Sequence, residues 1–261
     1  MKTIAIANQK GGVAKSTTCW EIGSCIGDLG LKVLIIDFDQ QANLTGYVNA
    51  EKDKATIYDV LKAEISIDDA IQHLDDFDFI AASEKLSKAD KEFSAPEDIY
   101  LLKLALSYVE DRYDYVIIDN SPSRNALLNM SYVASNYVII PTECDTGSID
   151  GIEAIYGDIQ KYRKLNWTQA QVSGILLTKF ENTAMHTFAL EQINVKANEM
   201  EEEPFVATIR KSVKASESKL AMQSLQRYEK YCNPAIDYRK VTKKLLEKIG
   251  EEKYDSDGKF S

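Results

Sequence analysis

The chain has 261 residues, of which 44% are apolar and 28% are charged, and its formal net charge is −10 at neutral pH. This composition supports a sizeable folded core, and the absence of any stretch of about 18 apolar residues excludes a membrane-spanning helix. The four cysteines form no CxxC pair and the two histidines lie far apart, so neither a disulfide framework nor a histidine-based metal site is expected.

Short apolar runs alternate along the chain with longer helical patterns. The runs VLIID, YVIID and YVIIP are continuously apolar, which is typical of strands that a parallel sheet buries on both faces. Strands are predicted at Thr3–Asn8, Lys32–Asp37, Phe77–Ala81, Tyr115–Asp119, Tyr137–Pro141, Val172–Thr178 and Phe205–Ile209. Helices are predicted at Lys15–Leu29, Pro96–Arg112, Ala126–Ala134, Ile149–Leu165, Met185–Met200, Ser216–Tyr228 and Tyr238–Ile249. This alternation predicts an α/β fold with a doubly wound, mainly parallel sheet.

No linker rich in Pro, Gly or Ser divides the chain, so residues 1–249 are predicted to form a single domain. Residues 250–261, GEEKYDSDGKFS, are polar and charged and are predicted to be a mobile tail. The amino-terminal sequence MKTIAIAN enters a strand at once and lacks the apolar region and cleavage site of a secretory signal. A cytoplasmic protein is therefore expected.

The first predicted element, IAIANQKGGVAKSTTCWEIG, is a strand followed by a glycine-rich turn and a helix. Within it, KGGVAKST nearly matches the phosphate-binding loop GxxxxGK[ST], whose backbone N–H groups and helix N-terminus hold phosphate. Lys10 and Ala14 stand where that loop has its first and last glycines, and a Cβ at Ala14 requires a negative φ or a modest strain. The predicted phosphate-binding residues are Lys10, Gly11, Gly12, Val13, Ala14, Lys15, Ser16 and Thr17.

Carboxylates follow two later strands of the predicted sheet. The strand KVLIID ends at Asp37, and Asp39 follows two residues later. The strand YVIID ends at Asp119. Because the carboxyl ends of parallel strands meet at one edge of a sheet, these side chains are expected beside the phosphate-binding loop. The hydroxyl of Ser16 and the carboxylate of Asp119 are therefore predicted to organise Mg²⁺, the second through water.

The charge is unevenly distributed. Residues 204–249 contain eleven Lys or Arg residues and four acidic ones, a net charge of +7, whereas the rest of the chain is strongly acidic. A basic segment of this kind indicates binding to nucleic-acid phosphates, although lysines that merely solvate two amphipathic helices would give the same pattern.

Together, these motifs resemble the ParA/MinD class of P-loop ATPases. KGGVAKST is similar to the deviant Walker A motif KGGxxK[ST], DFDQQANLT to DxDPQxNxT, and VIIDNSPS to VIIDxPPS. VIIPTECDTGSIDGI and GILLTKF resemble later segments, and TIRKSVKASES resembles the family's IPRNxRxSEA, so the resemblance covers roughly residues 1–249. Ala14 replaces a glycine of the family pattern, and Gln40, Ser121 and Arg210 replace prolines.

The resemblance implies ATP and Mg²⁺ as cofactors and assigns a role to each site residue. Lys15 would hold the β- and γ-phosphates, and Asp39 would position or activate the attacking water. Lys10 would reach the partner's phosphates in an ATP-dependent sandwich homodimer. Further nucleotide contacts would come from Lys179, Arg210 and Lys211, and the metal would be held by Ser16, Asp119 and Asp39.

The function implied is that of a DNA-segregation ATPase of the short form, without an N-terminal helix-turn-helix. The ATP dimer would bind DNA without sequence preference and associate with the nucleoid. A ParB-like centromere-binding partner would stimulate a weak intrinsic hydrolysis and release the dimer. The residues expected to contact DNA are Lys211, Lys214, Arg227, Arg239, Lys240, Lys243 and Lys244.

Other functions remain open from the sequence. A MinD-like membrane-cycling ATPase would use a C-terminal amphipathic helix, but YRKVTKKLLEKI is only weakly amphipathic and an acidic tail follows it. Iron-protein relatives need cluster cysteines, and tyrosine-kinase relatives carry a tyrosine-rich tail. A non-enzymatic adaptor would result if Ala14 and Gln40 disabled turnover.

Overall fold

A single eight-stranded sheet forms the centre of the computed structural model, which describes residues 1–51 and 54–250. The strands are β1 (Lys2–Ile6), β2 (Val33–Phe38), β3 (Ile71–His73), β4 (Asp78–Ile80), β5 (Tyr115–Asn120), β6 (Tyr137–Thr142), β7 (Gln171–Phe180) and β8 (Phe205–Arg210). Their order is β3-β4-β2-β5-β1-β6-β7-β8, and every neighbouring pair is parallel except β3–β4. The mainly parallel sheet predicted from the sequence is confirmed.

Helices cover both faces of the sheet. They are α1 (Lys15–Asp28), α2 (Asn43–Tyr47), α3 (Ile57–Leu61), α4 (Ile67–Ala70), α5 (Ala89–Glu92), α6 (Leu101–Ser107), α7 (Ala126–Ala134), α8 (Ser148–Lys164), α9 (Ala184–Asn198), α10 (Lys214–Leu220), α11 (Leu225–Tyr228) and α12 (Asn233–Lys248). Two 3₁₀ turns, Glu84–Lys88 and Pro96–Tyr100, precede α5 and α6.

The central strands are buried on both sides, which explains their continuously apolar sequences. On β1, Ile4 and Ile6 join a core cluster with residues of α1 and α12, whereas Ala5 joins a cluster with residues of α8 and α9 on the other face. All six residues of β5 are buried between its neighbours β2 and β1. This arrangement places the carboxyl ends of β2, β5 and β1 side by side.

The predicted elements differ from the structure where tertiary contacts decide local conformation. The helix predicted at residues 96–112 begins as a 3₁₀ turn and its α-helical part ends at Ser107. The helix predicted at residues 216–228 is two short helices, because Met222 adopts a left-handed φ of +52° between them. The short elements α2 to α4 and the antiparallel edge strand β3 were not predicted, since each is five residues or fewer.

Two expectations concern the limits of the domain. The mobile tail predicted at residues 250–261 lies, apart from Gly250, outside the described residues. The single domain predicted for residues 1–249 stays a prediction. In the part of the chain that the structure describes, no helix has the length and apolarity needed to cross a bilayer.

Two helical glycines offer a matched test of the packing. A Cβ at Gly27 in α1 would lie 2.2 Å from the carbonyl oxygen of Asp76, whereas a Cβ at Gly157 in α8 would meet nothing within 4 Å. Because alanine favours helix over glycine, Gly157→Ala should stabilise the protein by about 0.5–1 kcal/mol. Gly27→Ala should destabilise it by about 1–3 kcal/mol through the backbone clash. Urea unfolding measures both, and equal stabilisation by the two variants would contradict the packing of α1.

Candidate functional site

The glycine-rich loop connects β1 to α1 and is anchored from both sides. The side chain of Asn8 accepts a hydrogen bond from the amide of Lys10 at 2.8 Å and donates to the carbonyl of Pro141, at the end of β6, at 2.8 Å. The hydroxyl of Thr178, on β7, donates to the carbonyl of Val13 at 3.3 Å. The loop is therefore fixed to the neighbouring strand ends at the point where α1 begins.

Ala14 absorbs backbone strain. It is the residue before α1 and adopts a left-handed conformation with φ of 67°, and Gly12 has φ of +83°. A left-handed conformation costs a residue with a Cβ roughly 1–2 kcal/mol, whereas glycine adopts it freely. The sequence allowed either a negative φ or a modest strain at Ala14, and the structure shows the strained, positive φ.

Lys15 lies inside the loop with 7% of its surface exposed. Its ammonium donates to the carbonyl of Lys10 at 2.8 Å. Burial lowers the pKa of Lys15, and the nearby carboxylates of Asp119 and Asp39 oppose that shift. The ammonium thus lies between the loop backbone and the acidic strand ends, and its role in phosphate binding stays a prediction.

Asp119 is buried, and among the described residues no hydrogen bond of normal geometry reaches either of its carboxylate oxygens, although the Ser16 hydroxyl is nearby. It is in register with Ile6 of β1 and Asp37 of β2. Burial, and then the negative charge of Asp37, raises the pKa of Asp119 well above its ordinary value, while the Ser16 hydroxyl and Lys15 oppose the rise. A buried carboxylate with both oxygens unsatisfied beside a serine hydroxyl fits a divalent cation and its water ligands.

Asp37 and Asp39 have different environments. Asp37 is fully buried and accepts hydrogen bonds from the amide and hydroxyl of Thr45, both at 2.8 Å, and from the amide of Asp39 at 3.1 Å. Burial raises the pKa of Asp37 to about 6. The carboxylate of Asp39 accepts from the amide of Gln41 at 3.0 Å. Asp37 therefore holds the loop after β2, and that loop places Asp39 near Lys15.

The side chain of Lys10 is half exposed. Its ammonium forms an ion pair with the carboxylate of Asp145, on the loop between β6 and α8. The sequence did not point to Asp145, because nothing in its local pattern indicates a partner so distant in the chain. Lys10 therefore has a counter-ion within its own subunit.

A cavity of about 370 Å³ opens beside the loop, bounded by the start of α1, the ends of β7 and β8, and α10 and α12. It brings together the three residues expected to contact nucleotide outside the loop, which are Lys179, Arg210 and Lys211. The guanidinium of Arg210 forms a bidentate contact with Asp237, at 2.7 and 2.9 Å. Its charge is thus already paired within the protein.

The structure divides the seven predicted DNA contacts into two groups. Three are neutralised by carboxylates: Lys211 by Glu181, Lys214 by Glu217, and Arg227 by both Asp28 and Asp76. The other four lie on the exposed side of α12, where no carboxylate of the described residues pairs with them: Arg239, Lys240, Lys243 and Lys244. Of the seven residues expected to contact DNA, those without a carboxylate partner among the described residues therefore all lie on α12.

Buried hydrogen bonds join the loop helix α1 to the basic helix α12. The hydroxyls of Thr18 and Tyr238 lie 3.0 Å apart. Glu21, fully buried on α1, accepts from the amide of Leu225 at 2.7 Å and from the side chain of Gln226 at 3.3 Å. The oxygen of that same Gln226 amide accepts from Arg239 at 2.6 Å. The sequence carries no local signal for this network, since its members come from three separate helices.

Comparisons with known proteins agree with this geometry. A family model described as an AAA domain matches residues 1–174. The sporulation initiation inhibitor protein Soj of Bacillus subtilis is 31% identical over 223 residues, covering 83% of this chain and 87% of Soj. A putative plasmid partition protein from Borrelia burgdorferi, solved with AMPPNP, has a TM-score of 0.79 and 26% identity over 95% of this chain and 98% of its own. Apo McdA from Cyanothece has a TM-score of 0.85 at 22% identity, covering 96% and 100%, which shows a shared fold.

Glu21 generates a pH prediction. Burial raises the pKa of Glu21 to about 7, against 4.5 when unfolded. A raised carboxyl pKa contributes stability that is present below the unfolded pKa and is lost as the pH rises through the folded one. As the pH rises from 5 to 8, the free energy of unfolding of Glu21→Gln should therefore increase by about 2 kcal/mol relative to that of the parent chain. Urea unfolding at both pH values measures this difference, and Glu229→Gln, which alters an exposed residue, is the control. The prediction is contradicted if the free energy of unfolding of Glu21→Gln changes with pH just as that of the parent chain does.

Proposed function

The chain belongs to the ParA/MinD family of P-loop ATPases, and we propose that it is the ATPase of a DNA partition system. ATP would assemble a homodimer that binds DNA without sequence preference. Hydrolysis, stimulated by a ParB-like centromere-binding protein, would then release it. The names of the relatives, among them a putative plasmid partition protein, support this assignment.

The DNA-binding step rests on one observation, the lysine-bearing face of α12. Lys240 and Lys243 are exposed, and neither meets a carboxylate among the described residues. Cations that are not neutralised by the protein can displace counterions from DNA phosphates, which is how sequence-independent affinity arises. The apolar side of α12, including Val241 and Leu245, is buried in the core. That burial leaves this helix no apolar face for a membrane and disfavours the MinD-like alternative.

ATP would bind with its phosphates on the glycine-rich loop and its base and ribose in the adjoining cavity. The loop amides and Lys15 would neutralise the β- and γ-phosphates. Ser16 would hold Mg²⁺ directly and Asp119 would hold it through water, with Asp39 as a further metal residue, and the ion would supply positive charge that offsets the negative charge on the phosphoryl oxygens. These residues would position the triphosphate rather than react with it.

Hydrolysis transfers the γ-phosphoryl group to water. The water oxygen bonds to the γ-phosphorus, the bond to the β–γ bridging oxygen breaks, and ADP and inorganic phosphate leave. Phosphoryl transfer depends mainly on positioning and charge stabilisation, so a carboxylate that orients the water is sufficient. Asp39 is the residue proposed for that role. The other candidate, Asp37, already uses its carboxylate to accept the hydrogen bonds that hold the loop.

Lys10 would act on the nucleotide of the other subunit. Lys15 already occupies the loop interior, and Lys10 extends outward to Asp145. Two ATP molecules facing each other bring a large negative charge into one interface, which opposes association unless cations are added. In the dimer, Lys10 would exchange Asp145 for the partner's phosphates and act as a cation in trans.

The trans role of Lys10 predicts complementation between two variants. Lys10→Ala keeps its own loop lysine and should bind ATP, but it should fail to dimerise or to hydrolyse ATP. Lys15→Ala should lose stable ATP binding and still offer Lys10. Mixing them should restore part of the hydrolysis that neither shows alone, provided that a dimer with one ATP assembles. Chromatography with ATP and phosphate release measure this, and full dimerisation and turnover by Lys10→Ala alone would refute the trans role.

Removing two positive charges from the exposed face of α12 should weaken DNA binding more than removing two from residues that carboxylates neutralise. Lys240→Gln combined with Lys243→Gln should weaken ATP-dependent binding to random DNA for all sequences alike. It should also lower the slope of log affinity against log salt by about 1 for each DNA phosphate that the protein no longer neutralises. The control, Lys214→Gln with Arg227→Gln, removes the same charge from residues that carboxylates already neutralise and that do not line the nucleotide cavity. A larger effect from the control would place the DNA-binding surface elsewhere.

A further inference from the structure

One lysine at the cavity beside the glycine-rich loop differs from the other cations there. Four cationic side chains line the cavity: Lys179, Arg210, Lys211 and Lys219. Three have carboxylate partners, which are Glu143, Asp237 and Glu181 respectively. Within the described ranges, the ammonium of Lys219 has no carboxylate partner and no hydrogen bond, and it contacts the ring of Tyr47. Its charge is therefore the one in this cavity that the described part of the protein leaves unbalanced.

Aromatic packing fixes the position of Lys219. It extends from α10 over the ring of Tyr47 on α2, with its ammonium 4.9 Å from the ring centroid. Tyr47 in turn stacks on Trp20 of α1, with ring centroids 6.4 Å apart and planes inclined by 17°. A cation over an aromatic face is held by the ring quadrupole, and the ring stack restrains the side chain. Lys219 is thus positioned at the cavity rather than swinging freely in solvent.

The surroundings of this ammonium favour the arrival of an anion. Burial lowers the pKa of Lys219, the neighbouring cation Lys179 lowers it further, and the carboxylates of Asp119 and Glu21 oppose these effects without contacting it. A charge that is partly removed from water and repelled by a second cation costs free energy. An anion that reached contact distance would offset this cost by direct Coulomb attraction.

We propose that Lys219 binds the α-phosphate of the nucleotide. The cavity that it lines also includes Ala14 and Thr17, which lie at the start of α1. Lys15, Asp39 and Asp119 surround the end of the loop expected to hold the γ-phosphate, so the cavity side corresponds to the α-phosphate and the nucleoside. This inference rests on the proposed nucleotide site and adds a residue to it.

Lys219 lies outside the motifs that carry the family resemblance. The segment TIRKSVKASES, which resembles a family motif, ends at Ser218, one residue before it. Lys219 is therefore assigned from its place in this structure: it shares the cavity, it rests on the ring of Tyr47, and no carboxylate of the described residues pairs with it.

The experiment compares Lys219→Met with Lys214→Met by calorimetry with ATP, ADP and AMP. Methionine keeps the apolar stem against Tyr47 and removes the charge. Lys214 lies on the same helix, is paired with Glu217 and does not line the cavity, so it is a matched control. Lys219→Met should weaken binding about tenfold, and by the same factor for all three nucleotides, because each carries an α-phosphate. Lys214→Met should bind them as the parent chain does, and Lys219→Arg should recover most of the affinity.

The outcomes separate this assignment from the proposed function. Unchanged affinity in Lys219→Met, or a reduction for ATP alone, would overturn the α-phosphate assignment while the parent chain still bound ATP. A reduction for ATP and ADP but not AMP would overturn it in favour of the β-phosphate. Failure of the parent chain to bind any of the three would overturn the proposed function and this inference with it. Urea unfolding of each variant without nucleotide checks folding, and if Lys219→Met is unfolded, Lys219→Gln replaces it.

Discussion

The burial of several carboxylates beside one lysine is the constraint on which the rest of this structure depends. Register between β2 and β5 places Asp37 opposite Asp119, and the loop after β2 brings Asp39 close to Lys15. Like charges held in a low-dielectric environment raise each other's pKa and repel. The protein satisfies Asp37 with hydrogen bonds and leaves Asp119 without any of normal geometry among the described residues. Such an unsatisfied buried group costs stability in the folded chain, and it suits a site in which a cation completes the charge balance.

Helix α1 connects this site to the helix that carries the basic face, α12. Its first turn borders the glycine-rich loop, and its middle is buried against α11 and α12 through Thr18 and Glu21. A shift of α1 on nucleotide binding would therefore disturb buried hydrogen bonds that lead to Arg239 on the basic face. Contiguous packed groups and hydrogen bonds of this kind can carry a coupling between phosphate binding and DNA binding. The network of Thr18, Glu21 and Gln226 supplies such contacts between the two helices.

Ion pairing decides which basic residues remain available to a ligand. The segment from residue 204 to 249 has an excess of cations, yet Lys211, Lys214 and Arg227 are each neutralised by a carboxylate. Exposed pairs of this kind stabilise a protein by less than about 1 kcal/mol each, so their main consequence here is electrostatic. They concentrate the positive potential on α12 and at Lys219. A net charge of −10 is thus compatible with two local cationic sites.

Local spacing in the sequence determined the family, the glycine-rich loop and the parallel core, while only the tertiary structure decided the charge partners. KGGVAKST between an apolar strand and a helix specifies a phosphate cradle, because loop geometry depends on neighbouring residues. Continuous runs such as VLIID similarly reveal strands that are buried on both faces. The pairing of Lys10 with Asp145 and of Arg227 with Asp76, and the isolation of Lys219 within the described residues, follow no local pattern. These contacts join segments that are distant in the chain, and packing of the helices against the sheet sets their separations.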